Sequence, residues 1–202
     1  MNYIGYAPEY IVLIAILIIT ALIIKSRILL IISVIFTFCI IWFFQGALSL
    51  PTKFDPRTLY CPCDGIVSKI IEKDGRIQIS VFLNVHNTHV QYSPFECTVK
   101  SIAHKDGTFH PAYLFEKSQY NERTEYILNN KYFGDVLFIQ IAGQLARSIV
   151  SFVNAPQTVK PMEPIGLIKL GSRCDVYVNN KAMVLVREGD RVQIGDSLVR
   201  IG

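Results

Sequence analysis

Residues 65–83 read GIVSKIIEKDGRIQISVFL, and their pattern decides the fold. Two β-rich runs, Gly65–Ile71 and Arg76–Leu83, flank Asp74-Gly75, a turn pair that tolerates positive φ and joins adjacent antiparallel strands. The same punctuation continues down the chain. Phe95–Ala103 runs into Asp106-Gly107, and Thr124–Leu128 leads through Asn129-Asn130 to Val136–Ala142. Pro164–Leu170 and Cys174–Val178 follow as further strands. Gln144–Phe152 is the one helix candidate in this part, with Leu145, Ile149 and Phe152 near helical spacing. The expectation for residues 60–202 is a mainly β domain, a sandwich- or barrel-like hybrid of α+β type with few short helices.

The C-terminal segment repeats strand and tight turn at short range: Ala182–Val186, then Glu188-Gly189-Asp190-Arg191-Val192, then Gly195-Asp196-Ser197-Leu198-Val199. This cadence resembles biotinyl and lipoyl carrier hammerheads, with glycine supplying the turn dihedrals. Lys181-Ala182-Met183 even resembles a carrier lysine site turned about. The attachment tetrapeptide is absent, so the shared feature is architecture rather than carrier function.

Upstream of residue 47 the composition is different. Between Ile11 and Phe44 the only charges are Lys25 and Arg27, which split two apolar runs, Ile11–Ile24 and Ile28–Phe44. As helices these runs reach about 21 and 25 Å, against a hydrocarbon core of about 30 Å. One continuous helix would bury both charges at the bilayer centre, which is costly, whereas a hairpin returns them to the headgroups. Tyr10 and Trp42-Phe43-Phe44 suit the interface. Residues 1–46 are therefore expected to form a transmembrane helical hairpin, and residues 47–59, rich in Pro, Asp, Thr and Lys, a linker. A signal peptide would want basic residues before the apolar run, and Met1–Tyr10 carries only Glu9.

The net charge of +4 divides into +1 before residue 51 and +3 after it, a small positive balance suited to anionic headgroups. No Lys/Arg run makes a nucleic-acid stripe, so nucleic acid is excluded as a partner. The five cysteines, Cys39, Cys61, Cys63, Cys97 and Cys174, are odd in number and irregularly spaced, which favours a reducing compartment over a disulfide framework. Cys61 and Cys63 have no second Cys/His pair at zinc spacing, so no metal is expected.

Three places hold reactive side chains in suggestive company. Asp64 opens a turn into a strand within Cys61-Pro62-Cys63-Asp64-Gly65; an Asp-Gly turn is the ordinary reading. His86 and His89, two of four histidines, end an apolar strand in Asn84-Val85-His86-Asn87-Thr88-His89, where ordinary hydrogen-bonded histidines are the plain alternative. Leu170-Gly171-Ser172-Arg173 lies between two apolar strands and by itself is a turn. Yet Gly before Ser is what an amide-to-ester rearrangement needs, because a carbonyl flanked by no Cβ is open to the hydroxyl. A base must take the hydroxyl proton and a carboxylate must orient that base, roles open to a histidine of the pair and to Asp64.

Taken in chain order, these motifs resemble the short, bacterial and archaeal type of phosphatidylserine decarboxylase proenzyme. The matching elements are Cys63-Asp64-Gly65, Leu83-Asn84-Val85-His86 with Tyr92-Ser93-Pro94, and Asn121-Glu122-Arg123. Further along come Gln140-Ile141-Ala142-Gly143 with Ala146-Arg147, Gly166-Leu167-Ile168, Gly171-Ser172-Arg173 and Asp175-Val176-Tyr177. The ordered set covers essentially the whole chain.

The resemblance implies a domain at 60–202 that cuts itself between Gly171 and Ser172, giving a β chain (1–171) and an α chain (172–202) that stay associated. Ser172 becomes a pyruvoyl group, the cofactor, whose carbonyl forms a Schiff base with the amine of phosphatidylserine and releases carbon dioxide and phosphatidylethanolamine. In this reading His89 is the base of self-cleavage, His86 acts near the substrate carboxylate or the protonation step, Asp64 orients the histidine, and His110 assists with the headgroup. The histidine roles are exchangeable, because Val90-Gln91-Tyr92 departs from the family's His-x-x-His context. The partners implied are phosphatidylserine and the bilayer of a cell or inner membrane, with the catalytic domain facing the cytosol; a homo-oligomer is compatible with this reading. Alternatives are a decarboxylase of another aminophospholipid such as archaetidylserine, or a non-catalytic carrier or lipid-binding β module.

Overall fold

A computed structural model describes residues 1–144, 148–169 and 172–202. The chain divides into two compact units, Met1–Ala47 and Leu48–Gly202.

The first unit is a helical hairpin. A 3-10 turn over Ile4–Tyr6 leads into α1 (Pro8–Ile23), with proline at the helix start where its missing N–H costs nothing. Lys25 adopts φ of 52°. Ser26 then caps α2 (Arg27–Phe43), its Oγ accepting from Leu29 N at 3.2 Å. The two ends are zipped by Tyr3 N to Phe44 O at 2.8 Å and Gly46 N to Met1 O at 2.9 Å.

The expected transmembrane hairpin is corrected here: among the described residues no helix is long and apolar enough to cross a membrane. The reason is the tight break at Lys25-Ser26, which limits the helices to 16 and 17 residues, about 24 and 26 Å at 1.5 Å per residue, short of about 30 Å of hydrocarbon. The hairpin nonetheless leaves large aliphatic side chains exposed on both helices, among them Ile19, Ile23, Ile28, Ile31 and Val34.

The second unit is mainly β and, among the described residues, antiparallel throughout its named strands. Its strands are β1 (Thr58–Tyr60), β2 (Gly65–Lys73), β3 (Arg76–Leu83), β4 (Val90–Tyr92), β5 (Cys97–Lys105), β6 (Arg123–Asn130) and β7 (Gly134–Ala142). They continue with β8 (Ile149–Ser151), β9 (Gln157–Val159), β10 (Pro164–Ile168), β11 (Ser172–Asn179), β12 (Met183–Val184), β13 (Arg191–Val192) and β14 (Ser197–Arg200). A one-turn helix, α3 (Phe115–Ser118), interrupts the β5–β6 connection.

Eight strands make the principal sheet in the order β13-β2-β3-β11-β7-β6-β5-β9. Two three-stranded sheets, β1-β14-β12 and β4-β10-β8, complete the unit. The β2–β3 hairpin turns where the sequence places it: Asp74 and Gly75 take φ of 52° and 73°, the positive pair a two-residue hairpin requires. Alternation then sorts the side chains. Val136, Phe138, Cys174, Val176 and Val178 face a common core with Ile79, Val81, Leu128 and Tyr126.

The expected helix over Gln144–Phe152 is also corrected. Residues 145–147 lie outside the described residues, but Ile149–Ser151 is a strand paired with Gly166–Ile168. Ile149 and Val150 are β-branched, and the free side of β10 satisfies their backbone, so strand pairing overrides a helix-compatible spacing.

Phe138, fully buried with its ring 5.7 Å from that of Tyr126, is central to this core. Phe138→Ala should lower unfolding free energy by about 3–5 kcal/mol in urea denaturation, with the denaturant slope unchanged.

Candidate active site

Ser172 is the first residue of β11 and is flanked on both sides, by Leu83 of β3 and Ala142 of β7. It is fully buried, and its Oγ has no hydrogen-bond partner among the described residues. A buried hydroxyl left unpaired costs on the order of 1–3 kcal/mol. Gly171, the other half of the expected cleavage site, lies outside the described residues.

His89 is fully buried as well. Its Nδ1 stands 2.7 Å from the carbonyl oxygen of Asn87. That oxygen can only accept, so Nδ1 carries the proton and the lone pair of the neutral ring is on Nε2. Burial, with His86 nearby, drives the His89 pKa down from 6.5 to about 4. At neutral pH the ring is therefore an uncharged base.

A chain of buried amides fixes His89 against the strand that bears Ser172. Gln91 Nε2 donates to the His89 carbonyl at 2.7 Å, and Gln140 Nε2 donates to Gln91 Oε1 at 2.5 Å. Tyr126 Oη in turn donates to Gln140 Oε1 at 2.7 Å, with burial pushing the phenol up to about 12 so that it stays protonated. Gln140 sits opposite Cys174 on β11, two residues from Ser172. Ile168 N also donates to the His89 carbonyl at 3.1 Å, tying the end of β10 to the same point. Gly166 makes room for the chain, since a Cβ there would lie 2.7 and 2.8 Å from the Gln140 amide atoms.

Asp64 and His86 meet elsewhere. They line one cavity of about 250 Å³ with Asn84, Asn87, Arg191 and Gln193. Asp64 is half-buried and its Oδ1 accepts from Ile194 N at 2.8 Å, while His86 is exposed. Asn87 joins the two places. Its side chain accepts from Asn84 N at 2.9 Å beside the cavity, and its carbonyl holds the His89 ring. In these contacts the His89 ring is oriented by a backbone carbonyl.

His110 is half-buried and reaches the site through its backbone. Asn121 Nδ2 donates to both His110 O and Ala142 O at 2.7 Å, and Asn121 Oδ1 accepts from His110 N at 2.8 Å. The loop carrying His110 is thereby pinned to Ala142, the β7 partner of Ser172.

Sequence reasoning assigned no role to Gln91, Asn121 or Gln140. For Gln140 a signal existed: it shares the inward parity of Val136, Phe138 and Ala142, an amide where a core residue belongs. The four buried thiols are free; burial raises those of Cys61 and Cys63 well above the ordinary range, and Cys63 hydrogen-bonds with Cys174.

Comparison with known proteins agrees with this geometry. The sequence model of the family described as phosphatidylserine decarboxylase matches residues 36–200. A phosphatidylserine decarboxylase proenzyme from Carboxydothermus hydrogenoformans is 31% identical over 198 residues, spanning 94% of this chain and 92% of its own. One from Streptomyces coelicolor is 36% identical over 156 residues, 77% of this chain and 69% of its own. A protein from Methanococcoides burtonii, named as an archaetidylserine decarboxylase proenzyme, is 36% identical over 167 residues, 83% and 77% of the two chains. With its β fold and buried serine, the chain belongs to the phosphatidylserine decarboxylase family.

The depressed His89 pKa has a stability consequence. The unfolded chain takes up the histidine proton near pH 6.5 and the folded protein only near pH 4. The native state binds fewer protons, so its advantage is whole above pH 6.5 and is lost as pH falls towards 4. Urea denaturation should show about 2–3 kcal/mol less of this contribution at pH 4 than at pH 7, and a His89→Gln variant should lack that part of the pH dependence.

Proposed function

We propose that the chain is a proenzyme that cuts itself between Gly171 and Ser172 and then decarboxylates phosphatidylserine to phosphatidylethanolamine. The observation that carries this reading is the buried, unpartnered Ser172 hydroxyl in a domain that also buries a neutral histidine. His89 Nε2 takes the Ser172 Oγ proton as the oxygen attacks the Gly171 carbonyl carbon. The C–N bond breaks, the nitrogen takes up a proton, and an ester replaces the amide. Loss of the Ser172 α-proton then expels the Gly171 carboxylate, and water releases ammonia from the remaining dehydroalanine. The unpartnered hydroxyl fits a residue destined to become a carbonyl, because the burial that leaves Oγ unpaired leaves no donor there to be stranded. The pyruvoyl group so made supplies an electrophilic carbonyl that captures the substrate amine and accepts the electron pair left by carbon dioxide.

This chain's own residues do the remainder. Arg191, exposed along the cavity that His86 and Asp64 also line, gives it a cationic edge for the anionic headgroup. Asp64, fixed by the Ile194 N–H, places a carboxylate beside the histidine segment, and His110 is held over the Ser172 end of β11 by Asn121. The α chain stays with the β chain through the pairing of β11 with β3 and β7. Attachment to a bilayer is supported by the exposed aliphatic side chains of the α1–α2 hairpin, lying within one leaflet rather than crossing it, and the cytosolic side for the catalytic unit by the five free cysteines.

On a denaturing gel the wild-type chain should resolve into fragments 1–171 and 172–202, and Ser172→Ala should stay whole and inactive; an uncut wild-type chain overturns the reading. Carbon dioxide released from labelled phosphatidylserine, with archaetidylserine run in parallel, decides the lipid. Release from archaetidylserine alone would reassign the substrate without touching the self-cleavage.

A further inference from the structure

Alternation along β11 turns Arg173 and Asp175 away from the face that holds Ser172 and Cys174. Both are nevertheless buried, Arg173 at 2% exposure and Asp175 at 1%. Arg173 Nη2 donates to Asp175 Oδ2 at 3.1 Å, and Arg173 Nε lies 3.0 Å from Asp175 Oδ1 without hydrogen-bond geometry, an ion pair within one strand carried by one hydrogen bond. Gln78 Nε2 donates to the same Oδ2 at 3.0 Å. The remaining nitrogen points off the sheet. Arg173 Nη1 donates to Ser118 Oγ at 2.6 Å and to Phe115 O at 3.4 Å, and the guanidinium lies 4.4 Å from the centre of the Phe115 ring.

Phe115 and Ser118 are α3, and α3 belongs to the segment that Asn121 pins to Ala142. Arg173 therefore joins the first two residues of β11 to a segment on the other side of the expected cut. Before cleavage Ser172 is held by peptide bonds on both sides. Afterwards residue 172 is a chain end, and chain ends fray unless tied down. The first side chain beyond it is the guanidinium just described.

Resting on the self-cleavage reading above, we infer that Arg173 is a positioning residue: its guanidinium, clamped by Asp175, Ser118 and Phe115, locks the new end of the α chain to the β chain so that residue 172 keeps its place after the backbone is cut. Arg173 touches neither Ser172 Oγ nor the cavity of Asp64 and His86 in the contacts above; it acts through the backbone it holds. The reacting group's tolerance for displacement is small, since a misplacement of about 1 Å costs on the order of 100-fold in rate.

The test uses the full chain with two variants. Ser118→Ala removes one arm of the clamp. Arg173→Met combined with Asp175→Leu removes the ion pair without stranding a buried carboxylate. Self-cleavage is followed on gels, order at the new end by amide hydrogen exchange of residues 173–176, and turnover with dispersed phosphatidylserine. The expected result is that both variants are cut, that exchange at 173–174 accelerates, and that kcat falls by about 10- to 100-fold in the double variant with KM within about twofold. Wild-type exchange and kcat in both variants, or a rise in KM alone, overturns it. Should the double variant not fold, Ser118→Ala decides alone, by a faster or unchanged exchange at 173–174. An uncut wild-type chain removes the parent reading first, and this one with it.

Discussion

Strand β11 is paired on both flanks from its first residue, with Ser172 standing opposite Leu83 on one side and Ala142 on the other. Such central pairing leaves no backbone group of the strand free to shift, because a one-residue slip would turn every side chain to the opposite face. Ser172 is thereby committed to the inward face with Cys174, Val176 and Val178, and Arg173 with Asp175 to the outward one. Everything said about the serine depends on this register. It places a polar hydroxyl on the buried inward face of the sheet and holds it there by main-chain pairing that no side-chain substitution elsewhere removes.

Polar groups brought into such an interior must find partners, and the partners found here connect separate sheets. The Tyr126–Gln140–Gln91 chain runs from the principal sheet to the β4–β10–β8 sheet and ends on the carbonyl of His89. The amides use both a donor and an acceptor, so each link fixes the next, and low polarity around them strengthens the bonds. Asn121 does the same on the loop side, spending its amide on His110 and Ala142. The hydroxyl that stands outside these networks is that of Ser172, the residue the family's chemistry would consume.

Much of this was legible from local pattern. The Asp74-Gly75 hairpin is written in residues that alone accept its dihedrals, and the alternation of Val136–Ala142 fixes which side chains face inward. The motif order from Asp64 to Ser172 identified the family, and with it Ser172, His86 and His89 as residues to follow. Two local readings failed for the same reason, that periodicity does not count partners. Ile149–Ser151 has a helix-compatible spacing but takes the open side of β10. The apolar runs of the N-terminal unit look like spans, but Lys25 and Ser26 shorten both helices below membrane thickness.

The sequence by itself determined the alternation, the turns, the apolar hairpin and the identity of the serine that precedes arginine, because each of these is set by neighbours within a few residues. Only the tertiary structure decided that His89 is held by the Asn87 carbonyl, that Asp64 shares its cavity with His86, and that Arg173 and Asp175 are buried on the face where alternation alone would expose them. The covering of Arg173 turns on residues 55 and 58 positions away in the chain, Ser118 and Phe115. Whether a polar side chain is solvated or desolvated depends on what the fold lays over it, and that covering segment is not encoded beside it in the chain.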